Sequence, residues 1–313
     1  MGEVIVSECA LLFPGQGAQA PGMGRDFAEQ SPEARALFDR AGAALGWDLA
    51  RLCFDGPAEE LTRSDRAQPA IFAVSVVCLE ALRRARPDAR PVAAAGLSSG
   101  EWAALYAAGA LSFEETLRVL EARGRFMQEA CEARPGGMLS VIGLDRAALD
   151  RICAASGLEI ANLNSPEQTV LSGPREALDP AERMAAEAGA RLCVRLKVAG
   201  AFHSSLMQPA ADRLRAFLAG VEFRPLAFPV YSNVTGAPHG TPDEIREAMI
   251  RQVAGSVRWV DCVTAIRQAA PAARFMECGP GRVLSGLMRK IDKSAPIANI
   301  AALSDLKRAA DTL

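Results

Sequence analysis

The apolar residues of this chain fall into two rhythms. Two short unbroken runs, Ala10-Leu-Leu-Phe13 and Val92-Ala-Ala-Ala95, end abruptly in glycine-containing turns. Runs of that length without alternation read as strands buried on both faces. Longer stretches carry helical spacing. They are Ser31 to Leu45, then a polar approach from Glu59 to Arg66, then Gln68 to Leu79, which is apolar nearly all round and suits a helix buried beside a sheet. Arg83 to Arg90 reads as a charged loop leading back to the second apolar run. Glu101 to Ala108 holds good helix formers and no breaker. Ser112-Phe-Glu-Glu115 is a capping box that opens a helix to about Ala133. Leu206 to Leu218 is a further helical run, and Phe228 to Asn233 and Ala273 to Cys278 read as strands, the latter turning through Gly279-Pro-Gly281.

Between Pro135-Gly-Gly137 and Val198 the rhythm changes. Met138 to Ile142 reads as a strand, Asp145 to Ser156 as a helix, and Glu159 to Asn164 and Thr169 to Ser172 as strands. Glu176 to Ala188 then reads as a helix and Ala190 to Val198 as a strand. That β-α-β-β-α-β order is the ferredoxin-like signature. It predicts a small subdomain over 135–198, inserted into a larger α/β unit made of 1–134 and 199–313.

Composition narrows the class. The chain has 313 residues, half of them apolar, with a formal net charge of −2, which suggests neither a nucleic-acid footprint nor a polybasic membrane patch. The eight cysteines (9, 53, 78, 131, 153, 193, 262 and 278) form no C-x-x-C pair, so reduced, mostly buried thiols are expected rather than a zinc site or a disulfide scaffold. Met1 to Ala10 show no charged-then-apolar targeting pattern, and no apolar run reaches the length of a membrane span. A cytoplasmic α/β protein that needs no metal is expected.

The candidate chemistry begins at Gly96-Leu-Ser-Ser-Gly100, between a predicted strand and a predicted helix. In that setting Gly-x-Ser-x-Gly reads as a nucleophile elbow, a sharp turn that lifts the central hydroxyl clear of the backbone. Only Ser98 has glycine two positions away on both sides, so Ser98 and not Ser99 is the candidate nucleophile. Gln16, flanked by Gly15 and Gly17 after the first strand, either makes a tight turn or presents its main-chain N–H to a site. Three arginines on the 112–133 helix differ. Arg118 and Arg125 have glutamates three and four positions away, whereas Arg123 has Val119, Leu120, Phe126 and Met127. A guanidinium in an apolar stripe is either paired with a distant carboxylate or awaits an anion. The chain has two histidines. His239, in Gly-Ala-Pro-His-Gly, reads as a solvated loop residue, which leaves His203 as the candidate base. No acidic residue stands out as a third member.

Taken together, these residues resemble the malonyl-CoA:acyl-carrier-protein transacylases and the acyltransferase domains of polyketide synthases, over nearly the whole length. The resemblance rests on Phe13-Pro-Gly-Gln-Gly-Ala-Gln19, Gln68-Pro69-Ala70, Gly96 to Glu101, Arg123-Gly-Arg-Phe-Met-Gln128, Asn162-Leu-Asn-Ser-Pro166, Gly200-Ala-Phe-His203, Ser232-Asn-Val-Thr-Gly236 and Glu277-Cys-Gly-Pro-Gly281. It implies an α/β-hydrolase-like large subdomain with the ferredoxin-like one inserted. It implies that Ser98 carries the acyl group with His203 as base, that the N–H groups of Gln16 and Ser99 form an oxyanion hole, and that Arg123 binds the malonyl carboxylate. A main-chain carbonyl, at the position matching Gln252, would orient the histidine in place of an acid. Leu97, Phe202, Asn164 and Gln68 would line the substrate site, and Arg289 and Lys290 would contact the acidic carrier protein.

The family usually has histidine before the serine and a larger apolar residue after it, where this chain has Leu97 and Ser99. Both flank the acyl pocket and bear on acyl selectivity, while Gly-Ala-Phe-His is the form of malonyl-selective members. The implied reaction is a ping-pong transfer of malonyl from malonyl-CoA to the phosphopantetheine thiol of an acyl carrier protein, by a monomer without cofactor. Its rivals are a thioesterase on the same Ser-His pair, a transacylase for another extender unit, and a module that only docks carrier protein.

Overall fold

The computed structural model describes residues 7–313; residues 1–6, part of the stretch read for targeting signals, lie outside the described residues. Five strands form a parallel sheet: β1 (Ser7–Phe13), β2 (Ala89–Gly96), β7 (Val230–Tyr231), β8 (Arg274–Cys278) and β9 (Ile297–Ile300), in the order β7-β2-β1-β8-β9. The unbroken apolar runs are explained by helices on both faces. Successive side chains of β1 part company, with Leu11 and Phe13 entering the core that holds Phe72, Trp102 and Leu120, and Ala10 and Leu12 entering the core that holds Trp259, Val263 and Leu287.

The helix Ser64–Ala85 carries the apolar segment predicted to lie beside the sheet. It continues through Arg83 to Ala85, so most of the expected 83–90 loop is helix and strand, with β2 starting at Ala89. The capping box at Ser112 is present, with Glu115 reaching back to its N–H. The helix it opens, Phe113–Ala133, packs closely on Ser64–Ala85, since a Cβ on Gly124 would stand 2.2 Å from the Ser64 carbonyl oxygen. That contact brings Arg123 to Gln68.

A second, antiparallel sheet holds β3 (Gly136–Ile142), β4 (Glu159–Ser165), β5 (Gln168–Pro174) and β6 (Leu192–Arg195) in the order β4-β5-β3-β6. Helices Arg146–Ser156 and Leu178–Glu187 cover one face, around Leu139, Leu171 and Ile152. Met138 and Val170 on the other face turn toward the parallel-sheet unit. The chain is thus the expected α/β protein with a separate small sheet. The two units are joined by main-chain bonds, Leu163 N–H to the Val257 oxygen and Val257 N–H to the Ala161 oxygen. The strand expected over 190–198 shortens to β6, and that over 228–233 to β7. β9 and the helices Pro242–Ala254, Trp259–Ala269, Val283–Ile291 and Leu303–Thr312 were not foreseen from the pattern.

Candidate active site

The elbow forms where strand–turn–helix context placed it, at the C-terminal end of β2 and the start of the helix Gly100–Ala107. Ser98 holds φ 54°, a left-handed conformation unfavourable for a residue with a Cβ. The flanking glycines are required by space. A Cβ on Gly96 would lie 1.9 Å from the Gly100 main chain, and one on Gly100 would lie 2.2 Å from the Phe13 oxygen. Asn233 braces the strained turn: its Oδ1 accepts from Ser98 N–H at 2.7 Å and its Nδ2 donates to the Gly96 oxygen at 2.8 Å.

Ser98 Oγ lies 2.7 Å from His203 Nε2, and His203 Nδ1 lies 2.9 Å from the Gln252 main-chain oxygen. A carbonyl only accepts, so Nδ1 carries the ring hydrogen and Nε2 is left to accept from the serine. His203 is 4% exposed and itself holds a positive φ of 58°. Burial, and after it the Arg123 guanidinium, lowers its pKa to about 4. The imidazole is therefore neutral, and a base, at neutral pH.

Arg123 is 1% exposed, yet no carboxylate of the described residues touches it. Nη1 donates to Gln68 Oε1 at 2.7 Å, and Nη2 donates to Gln252 Oε1 at 2.9 Å and to Ser98 Oγ at 3.4 Å, while Nε has no partner among the described residues. Burial lowers its pKa to about 10, which leaves it charged at neutral pH. Of the two alternatives open in the sequence, direct pairing with a carboxylate is not found among the described residues. Arg118 and Arg125 are exposed.

A cleft of about 340 Å³ between the two sheets opens onto these groups. Leu97, Gln68, Asn164, Phe202 and Gln16 line it together with Ser98, Arg123 and His203. The Asn164 Oδ1 is buried without a partner. Among the described residues, no acceptor takes the main-chain N–H of Gln16 or Ser99. The Gln16 side chain donates to Ser64 Oγ at 3.2 Å, and Ser99 sits at the helix N-terminus, where N–H groups lack intrahelical partners. Arg289 and Lys290 are exposed on Val283–Ile291, past the cleft-lining Leu287.

Two residues without a role in the motif reading join the site. Asn233 is one, and Glu101, buried behind the elbow, is the other. His239 is a correction. Its side chain is 2% exposed and pairs with Glu101 at 2.7 Å, because the turn after β7 folds back over the elbow helix rather than into solvent. The cysteines are free, and none lines the cleft. No helix of the described residues is long and apolar enough to cross a membrane.

Residues 10–312 match the family model for the acyl transferase domain. The malonyl CoA-acyl carrier protein transacylase of Bacillus subtilis is 38% identical over 313 residues, covering 98% of each chain. That of Escherichia coli is 39% identical over 290 residues, 91% of this chain and 93% of its own. The malonyl CoA-acyl carrier protein transacylase structure from Coxiella burnetii superposes with a TM-score of 0.94 at 37% identity, over 100% of this chain and 99% of that one. A malonyl-transacylase solved with its type II polyketide synthase acyl-carrier protein gives 0.92 at 37% identity, over 98% and 100%.

Proposed function

The chain belongs to the acyl transferase domain family, and we propose that it transfers a malonyl group from malonyl-CoA to the phosphopantetheine thiol of an acyl carrier protein through an ester on Ser98. The observation that carries this reading is Arg123, a buried cation whose direct partners are two amide oxygens and the serine hydroxyl. Of five N–H donors on a guanidinium, these contacts occupy three, and the 3.4 Å contact to Ser98 is the easiest to give up. A carboxylate entering the cleft finds a desolvated fork suited to bidentate recognition.

Ser98 Oγ gives its proton to His203 Nε2 and attacks the thioester carbonyl. The Gln252 main-chain oxygen stabilises the imidazolium that forms, and two N–H groups receive the tetrahedral oxyanion, that of Ser99 at the positive end of the elbow helix and that of Gln16 in the turn after β1. The proton returns to the coenzyme A sulfur as it leaves. The carrier thiol then attacks the ester in the reverse sense, losing its proton to His203. Exclusion of water from the cleft separates transfer from hydrolysis. Arg289 and Lys290 serve carrier encounter, and the protein works as a cytoplasmic monomer.

Brief exposure to malonyl-CoA should place one malonyl group on the Ser98 peptide and none on Ser98→Ala. Adding carrier protein should move the group to its phosphopantetheine. A group on Ser99 or a cysteine overturns the assignment, and release as free malonate in place of transfer makes the enzyme a thioesterase.

A further inference from the structure

Behind the reacting groups lies a carboxylate that the chemistry above does not use. Glu101 is fully buried in the first turn of the helix after the elbow. It accepts from Gln252 Nε2, from the Asn233 main-chain N–H at 3.1 Å, and through Oε1 from His239 Nε2 at 2.7 Å. His239 is held in place by its own N–H, which donates to the Val230 oxygen at 2.8 Å.

A carboxylate, like a main-chain carbonyl, offers acceptors only, and Glu101 together with the Ser98 main-chain oxygen decides which way the Gln252 amide points. Nε2 faces Glu101 and the Ser98 main-chain oxygen, the latter at 3.0 Å, so Oε1 faces Arg123. Turned over, the amide would set its NH2 against a guanidinium and its oxygen against a carboxylate. Both contacts are unfavourable. A carboxylate without close donors is costly to bury. His239 Nε2 is the donor to Oε1 among the described residues.

We propose that Glu101 and His239 are a positioning pair: His239 donates to the buried Glu101 and holds its carboxylate in place, Glu101 reinforces the polarity of the Gln252 amide, and that amide holds Arg123 ready for the carboxylate of the acyl group. The inference rests on the malonyl reading above. It assigns a task to the second histidine, and it places specificity partly outside the cleft wall.

The test compares two reactions at Ser98. One is acylation by malonyl-CoA at subsaturating concentration, which uses Arg123. The other is sulfonylation by phenylmethanesulfonyl fluoride, which needs Ser98 and His203 but brings no carboxylate. His239→Phe should slow malonylation by roughly tenfold or more, the scale of a lost hydrogen bond to a charged group, and change sulfonylation by less than about twofold. His239→Gln, which keeps a donor, should restore most of the malonylation. Glu101→Gln, which removes the charge facing His239 and weakens the preference at Gln252 while the Ser98 main-chain oxygen remains, should show the same split and decides the matter if His239→Phe does not fold. Unchanged malonylation in a folded variant overturns the proposal. So does parallel loss of both reactions, which would make the pair a plain structural brace. A parent that accepts no malonyl group sinks the transferase reading and this inference with it, whereas a malonylated parent with indifferent variants sinks the inference alone.

Discussion

Arg123→Ala should cost malonyl transfer far more than transfer of a neutral acyl group. The guanidinium is 1% exposed and its direct partners are uncharged, so in the free protein it is a desolvated cation without a counter-ion in contact. A malonyl carboxylate completes the pair. Truncating one partner of a buried ion pair costs ~3–5 kcal/mol, or roughly two to three and a half powers of ten in rate. Folding should suffer less than that, because Gln68, whose oxygen is left behind, lines the cleft, and water can reach it there in the free protein. The assay is quenched-flow mass spectrometry of Ser98 with malonyl-CoA and acetyl-CoA, and the quantity is the ratio of the two acylation rates. It should fall by the stated powers of ten, with acetyl transfer held or gained, while Arg118→Ala and Arg125→Ala behave like the parent. A second readout has a defined sign. The guanidinium is one of the two causes that lower His203, so without it the acid limb of acetyl transfer should move to higher pH. A ratio that stays put in a folded Arg123→Ala protein would refute the carboxylate role and remove the main physical support for malonyl.

His203→Ala should slow acylation by ~10²–10⁴-fold, the scale of a positioned proton transfer. In the parent, the neutral imidazole is the active form and its pKa lies near 4, so acylation at subsaturating malonyl-CoA should be level from neutral pH downward and fall only as pH drops through about 4; an acid limb at the ordinary histidine value would contradict the burial argument. Gly100→Ala drives a Cβ to 2.2 Å from the Phe13 oxygen and should destabilise by more than ~2 kcal/mol in denaturant titration, a loss under ~0.5 kcal/mol showing that the strand and helix separate freely. Charge reversal at Arg289 and Lys290 should raise the apparent KM for carrier protein, more at low salt, and leave that for malonyl-CoA alone. An equal effect on both substrates would remove these residues from the docking surface.

What the sequence by itself determined is local in origin. Glycine at two positions and a serine between them suffice to announce a sharp turn, because the steric demand spans five residues, and Ser98 does hold the strained φ. The burial of Arg123 followed from its neighbours three and four positions away, which share its helix face whatever the helix packs against. Strand and helix rhythms placed the small antiparallel sheet because its alternation of elements is read within some sixty residues. The weaker elements were not legible. β9 is four residues long with Asn299 in its middle, and it becomes a strand by pairing with β8.

Only the tertiary structure decided the support around the site. Asn233 meets the Ser98 N–H across 135 positions, Gln252 meets Glu101 across 151, and His239 meets Glu101 across 138. Nothing in the neighbours of His239 distinguishes it from a solvated turn residue, since Pro238 and Gly240 are polar-loop company and its burial comes from a helix more than a hundred positions earlier. Likewise, the apolar stripe could not say whether Arg123 met a carboxylate or an amide. Burial of a group depends on what the rest of the chain brings to its other side, and that is settled only when β2, the elbow helix and the turn after β7 close on one another.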